Sequence, residues 1–476
     1  MENNVIFYDD FLTNPLQSGK LNIVNDSSNQ KLASAEVGYD EVLRSVYVHL
    51  TAKAGFTFSI PPTSYSSYSY ALLYYSNINV GNVNASKMWI LYHTWYEGTI
   101  SSSSSWWLGG YAYVYGSLVY GLNTNDYNNY DVLLLENQSS INGVSSTTYL
   151  FELRSNYTDS KVLTNLPLLS HYPENYTVIV KWLPQEGLHH ALLYNFTDTY
   201  SPYASLSLTD SSVNNGSIGF FAYANATHVS GWAFSNVDVY WYFDNLVVSK
   251  ANPRYLNITG IPNGWNVTIK SPSIPNNSLS KISKGASVVF DVIKYPILRN
   301  VTIEVYDNNH ELVDSTFFPV VIGGNLYAFA LNVSVVGEND VRVSKFYVCA
   351  VFTANTTVNA SVKLYNFRTS TYDTILSVKN VDGLSKCIEV SNYKDYTNNT
   401  NNTIVNLIIY SSKPFSVNID MLNTIVTTYI PEVKDVLIVG VGDTPRVDVY
   451  ELRFNGANIT LSYVTVSYTH LTLPTN

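Results

Sequence analysis

Apolar and polar residues alternate along most of this chain with a period of two. Between Ser217 and Ser249, Ile218, Phe220 and Ala222 fall on one face, and Gly219, Phe221 and Tyr223 on the other. Trp241 and Phe243 then alternate with Tyr240 and Tyr242, and Leu246-Val247-Val248 follows. Successive strand side chains point to opposite faces, and aromatic and β-branched residues suit that pleated surface, so the stretch predicts two strands and a long turn. Strands are also expected at Val46–Leu50, Gly55–Ser59, Lys87–Tyr92, Tyr149–Arg154 and Tyr176–Trp182, with Val132–Leu135 as a buried run, and Gly, Pro, Asn and Ser punctuate the chain throughout. No window carries a 3.6-residue period with caps. An all-β chain is expected.

The ending Tyr242-Phe243-Asp244-Asn245-Leu246-Val247-Val248 resembles the last strand of concanavalin A-like (laminin G, lectin, glucanase) jelly rolls, and Phe7-Tyr8-Asp9-Asp10-Phe11 resembles the first. The resemblance covers about the first half of the chain. It implies a two-sheet jelly-roll sandwich over residues 1–250 with the end strands side by side. Pro253 then marks a boundary. Residues 254–324 resemble a small Ig-like surface repeat of an archaeal-type extracellular protein, and Gly323-Gly324-Asn325 reads as its close. Residues 326–431 are expected to form a further β-sandwich, and 432–466 to open a fourth β domain that is cut off. Residues 467–476 resemble translated adapter sequence and are set aside as a non-native tail.

Composition narrows the function. Charged residues are 13% of the 476, aromatics 14%, and tyrosine alone supplies 40. A net charge of −10 leaves nothing to neutralise a row of phosphates or hold anionic lipid, which argues against nucleic acid and membrane-surface partners. No apolar run reaches membrane-spanning length. Eighteen Asn-x-Ser/Thr sequons run from Asn25 to Asn458, Asn84, Asn156, Asn175, Asn225, Asn257, Asn332, Asn398 and Asn401 among them. Spread over the whole chain, they point to a glycosylated extracellular or cell-surface protein. Met1-Glu2-Asn3-Asn4 does not read as a signal peptide, so the chain reads as a fragment. Cys349 and Cys387 form either one bridge or two buried thiols; an oxidising exterior favours the bridge.

Catalytic signatures are missing. A retaining glucanase needs its acid and nucleophile on one strand face, as in Glu-x-Asp-x-x-Glu. The nearest case here, Asp131 and Glu136, is five residues apart and points to opposite faces. Glu152 and Arg154 share a face and read as a salt bridge. Asp9, Asp10 and Asp244 would approach one another if the end strands pair, where a structural Ca²⁺ is chemically reasonable beside the plainer role of capping turns. What remains is aromatic: Trp95, Tyr96, Trp106, Trp107, Tyr111, Tyr113 and Tyr115 crowd about one serine loop. Flat rings stack on the C–H faces of sugars, so these residues are the candidate carbohydrate platform. The expectation is a non-catalytic, lectin-like module on tandem β-sandwich spacers, with glycans or cell-surface components as partners. The alternatives are a structural adhesin, stalk or envelope protein, and the accessory region of a larger secreted hydrolase.

Overall fold

The computed structural model describes residues 5–28, 32–55, 66–80, 87–104, 109–125, 127–156, 160–166, 175–196, 199–212, 216–229, 233–336, 343–398, 402–428, 450–454, 457–461 and 464–465. These residues are almost entirely strand. The first 250 residues build two antiparallel sheets packed face to face. One, here the tyrosine sheet, runs Ser160–Leu166, Val144–Ser155, Tyr130–Ile141, Gly109–Leu122, Gly216–His228, Ser66–Val80, Asn22–Ser27. The other, the joint sheet, runs Ala204–Thr209, Leu188–Asn195, Tyr176–Leu183, Met88–Ser104, Ala233–Ser249, Ser45–Gly55, Ala33–Asp40. The first strand, Val5–Asp9, pairs antiparallel with the last, Ala233–Ser249.

Period-two alternation decides what fills the space between the sheets. Ile218, Phe220, Ala222 and Ala224 meet Val237, Val239, Trp241 and Phe243 from the opposite sheet, all buried. His189 is buried among Tyr120, Tyr130 and Trp182; its Nδ1 lies 2.9 Å from the Tyr120 hydroxyl and its Nε2 3.1 Å from the Asp210 carbonyl. Burial lowers its pKa to about 4, which keeps the ring neutral at neutral pH. His190, one residue on, faces out toward Ser205 at 2.9 Å.

The outer face of the joint sheet is not free. Leu91, Ile179 and Tyr194 pack on Ile293, and Val247 packs on Ile297 and Ile322. Arg299 Nε donates to Asp10 at 2.5 Å, Arg254 Nη2 to the Thr199 carbonyl at 2.7 Å, and His93 Nε2 to the Ile293 carbonyl at 3.0 Å. The jelly-roll half therefore shares an apolar, hydrogen-bonded joint with residues 292–322.

The boundary expected at residues 324–326 is corrected. Tyr255–Thr259 pairs in parallel with Gly324–Val336, and one sheet runs Ser287–Asp291, Tyr255–Thr259, Gly324–Val336, Asn402–Ser411, Val343–Asn366, Val417–Thr428, Val464–Thr465. Leu326, Ile408 and Tyr410 belong to the same core as Leu256, Ile303 and Phe318. Gly323 looked like punctuation, but a Cβ there would overlap the Pro253 carbonyl, so its role is close backbone approach. A second sheet, Ser278–Ile282, Asn266–Lys270, Ile297–Tyr306, Leu312–Ile322, completes this region. Lys363 and Asp314 form a buried ion pair across the expected boundary. Thr371–Val390 pairs with Val343–Asn366, and Cys349 and Cys387, register partners there, are joined by a disulfide. Within 432–466, Tyr450–Phe454 and Ala457–Leu461 form a hairpin and Val464–Thr465 joins the long sheet; the other residues of that stretch lie outside the described ones. The tail at 467–476 lies outside the described residues.

Candidate functional site

The outer face of the tyrosine sheet is paved with rings because three neighbouring strands carry aromatics at their outward positions. Tyr111, Tyr113 and Tyr115 come from Gly109–Leu122, Phe221 and Tyr223 from Gly216–His228, and Tyr68 and Tyr70 from Ser66–Val80. Tyr223 sits directly opposite Tyr115 on one side and Tyr70 on the other. Cross-strand neighbours on one face lie within ring contact. The centroids of Tyr223 are 5.3 Å from Tyr115, 5.7 Å from Tyr113 and 6.2 Å from Tyr68, all near-parallel. Tyr111 extends the row at 6.4 Å from Tyr113 and is 38% exposed. Burial, then the Tyr223 hydroxyl, pushes the Tyr113 phenol up.

At one end the paving becomes a groove of about 320 Å³. Its floor is Tyr70, Leu72, Tyr115, Val119 and Phe221; its wall is Tyr127, Asn129, Asp131, Arg154 and Asn156. Asp131 and Arg154 face each other across adjacent strands, and Arg154 Nε donates to Asp131 Oδ2 at 2.7 Å. Asn129 Nδ2 donates to Asp131 Oδ1, and Asn156 Nδ2 donates to Asn129 Oδ1 at 3.1 Å and to Asp131 Oδ2 at 3.3 Å. The Arg154 guanidinium also stands 5.5 Å from the Tyr115 ring centroid. Burial raises the Asp131 pKa, with Arg154 and the two asparagines pulling against it; burial pushes the Tyr115 phenol up to about 12. The Asn123 turn presents Tyr127: its N–H donates to the Asn123 carbonyl at 2.8 Å, and Asn123 N–H to the Asn128 carbonyl at 2.9 Å. Tyr127 has φ 57° and is 47% exposed, an uncommon backbone for an aromatic residue. Such outliers gather at ligand sites.

This geometry redistributes the sequence candidates. Tyr111 and Tyr113 lie on the aromatic face. Trp95 and Tyr96 do not, because adjacent strand residues point to opposite faces and their strand belongs to the joint sheet. Tyr96 turns inward, 7% exposed, and stacks on Trp241 at 4.6 Å; Trp95 turns outward but stacks on Tyr242 at 5.0 Å and is 8% exposed. Both rings are largely buried. Trp106 and Trp107 lie outside the described residues. Arg154 pairs with Asp131 and not with Glu152, since register, not spacing along one strand, sets the partner. Glu136 faces the core, where it accepts from the Tyr96 hydroxyl and from Gln138 at 2.9 Å.

The end-strand aspartates take separate partners. Asp9 accepts from Phe11 N–H at 2.9 Å and Tyr75 at 3.1 Å, Asp10 from Arg299, and Asp244 from Asn245 N–H at 2.7 Å. Among the described residues no group of three His, Cys, Asp or Glu is arranged to hold a metal ion. Of the sequon asparagines, Asn175 is exposed and Asn225, Asn257 and Asn398 are half-buried. Asn156 is exposed too, but its amide is engaged in the groove wall. Asn332 lies in Gly324–Val336, and Asn84 and Asn401 fall outside the described residues. Among the described residues the buried asparagines, Asn129, Asn366 and Asn406, lie outside sequons. Strand periodicity alone does not bring Tyr127, Asn129, Asp131 and Arg154 into one cluster. The sequence cue to it is the run Asn123-Thr124-Asn125-Asp126-Tyr127-Asn128-Asn129 set before a strand that opens on Tyr130-Asp131.

No protein-family model and no curated protein matches this chain. Among solved structures it is similar to the CBM2 module of the evolved Dit of Lactobacillus casei BL23 phage J-1, at 10% identity and TM-score 0.26 over 51% of this chain and 96% of that one. A Lotus tetragonolobus seed lectin follows at 10% identity and TM-score 0.24, over 51% and 97%. Lectin I of Ulex europaeus, in complex with the methyl glycoside of α-L-fucose, follows at 11% and 0.23, over 48% and 99%. No helix among the described residues is long and apolar enough to cross a membrane.

Proposed function

We propose that this chain is a non-catalytic carbohydrate-binding protein of the cell surface or its surroundings, and that the groove beside the tyrosine paving holds the sugar. The observation that carries the reading is the meeting of an aromatic floor with a fixed polar wall. Tyr70, Tyr115 and Phe221 offer ring faces for sugar C–H groups, while Arg154, Asn129 and the Tyr127 hydroxyl offer partners for sugar hydroxyls. The groove is at the small end for ligand clefts, about 300 Å³ upward, and suits a short saccharide. Asp131 is held by three side chains, so Arg154, Asn129 and Asn156 are positioned in advance and their share of the ordering cost is small. The adjoining β region packs through residues 292–322 on the opposite sheet and leaves this face uncovered by that joint.

A glycan-array screen of the full chain, produced without glycosylation, tests the reading. Binding to a defined glycan class is expected, weakened about tenfold in Tyr127→Ala, which corresponds to ~1.4 kcal/mol. Tyr127 is exposed in a turn, so the variant should fold as the parent does. A folded chain that retains no glycan of any class would overturn the reading and leave a structural surface protein.

A further inference from the structure

Asn225 is a sequon asparagine placed in the middle of the aromatic paving. It lies directly opposite Tyr113 on one neighbouring strand and Tyr68 on the other. Residues two apart on a strand share a face, so Tyr223 and Thr227 flank Asn225 along its own strand. Asn225 Nδ2 donates to the Tyr223 hydroxyl at 3.3 Å, and Thr227 Oγ1 donates to Asn225 Oδ1 at 2.8 Å. The sequon Asn225-Ala226-Thr227 therefore has its asparagine and threonine outward and its alanine in the core. A sugar attached at Nδ2 would leave one amide N–H for Tyr223 and would begin among three tyrosine rings.

We propose that Asn225 carries an N-linked glycan whose first sugars lie on Tyr113, Tyr68 and Tyr223, so that the upper paving binds the chain's own glycan and the groove alone takes an outside one. This rests on the reading that these rings are a sugar face. In the attachment step, Asn225 Nδ2 displaces the diphosphate of a lipid-linked oligosaccharide at its anomeric carbon. The N–C bond forms, the C–O bond to phosphate breaks, the lipid diphosphate leaves with the bonding pair, and the proton the amide gives up passes to solvent. The half-buried state of Asn225 would hold the first sugar against the sheet instead of leaving it in solvent.

The full chain, secreted from an N-glycosylating eukaryotic host, provides the test. Peptide mass spectrometry should find Asn225 occupied. Thr227→Ala, which removes the sequon and keeps the asparagine, should lower Tm by about 3 °C, the size of one lost aromatic contact. Asn225→Gln should do the same. Tyr113→Leu removes its contacts with Tyr111 and Tyr223 in any background, and should lower Tm further in the glycosylated parent than in the Thr227→Ala background. An unoccupied Asn225, or an occupied one whose loss leaves Tm and the Tyr113→Leu effect unchanged, would overturn the proposal. The two readings fail separately. A groove that binds nothing on the array leaves the Asn225–Tyr113 coupling standing, and an absent coupling leaves array binding by the unglycosylated chain untouched.

Discussion

Arg154→Met is expected to destabilise the first sandwich by about 3 kcal/mol, and most of that loss should return when Asp131 is changed to Asn in the same chain. The argument starts from burial. Asp131 is 2% exposed, and burial already raises its pKa despite Arg154, Asn156 and Asn129. Removing the guanidinium leaves a buried carboxylate with two amide donors and no opposite charge. Breaking one side of such a pair costs more than replacing both sides with neutral groups. The sign with pH follows from linkage. A carboxyl whose folded pKa lies above its unfolded value takes up its proton in the fold first, so the cost of its charge disappears as pH falls through the folded value. Arg154→Met raises that value further, because it deletes the largest opposing influence. The deficit should therefore be full near neutral pH and shrink toward about pH 4.5, while the Asp131→Asn/Arg154→Met chain should show little of that slope. Urea unfolding of the parent, both single variants and the double at the two pH values measures it. A deficit that stays constant with pH would mean that the charge of Asp131 is not what Arg154 compensates. The same variant should also lose glycan binding, since Arg154 forms the groove wall.

The strands were legible because alternation is a local property: Phe220, Phe221, Ala222 and Tyr223 divide between core and surface as their spacing requires. The pairing of the first and last strands followed from the Phe7–Phe11 and Tyr242–Val248 resemblance. The candidate platform was only half legible, because closeness in sequence does not report which sheet a strand joins. Trp95 and Tyr113 are neighbours in the chain, yet their strands lie in opposite sheets. The Asp131–Arg154 pair needed register, which a hairpin of this length leaves open without the turn geometry at Ile141–Val144. The Gly323-Gly324 boundary failed for a related reason. Glycine marks both linkers and close approaches, and only the partner backbone, here Pro253, tells them apart.

Trp241→Ala should destabilise the same sandwich by about 4 kcal/mol, the largest effect expected of a single change in it. The indole bridges the two sheets. It stacks on Tyr96 at 4.6 Å within its own sheet, and its Nε1 donates to Thr94 Oγ1 at 2.8 Å, satisfying a polar group that is 1% exposed. From the opposite sheet it meets Gly116, where a Cβ would overlap the ring. Gly116 is therefore the socket for Trp241: the position must lack a side chain because the indole occupies its space. Truncation to Ala leaves a cavity lined by Tyr96 and its neighbours and an orphaned Thr94 acceptor. Gly116→Val alone should also destabilise, by steric overlap in a full core. Combined, the two changes should partly cancel, since valine grows into the space the indole vacated and suits a strand. The double variant is expected to be about 1 kcal/mol more stable than Trp241→Ala alone, a coupling that contact between the two positions predicts. Thermal or urea unfolding of the four chains measures it, and strict additivity would show that Gly116 and Trp241 do not share one space.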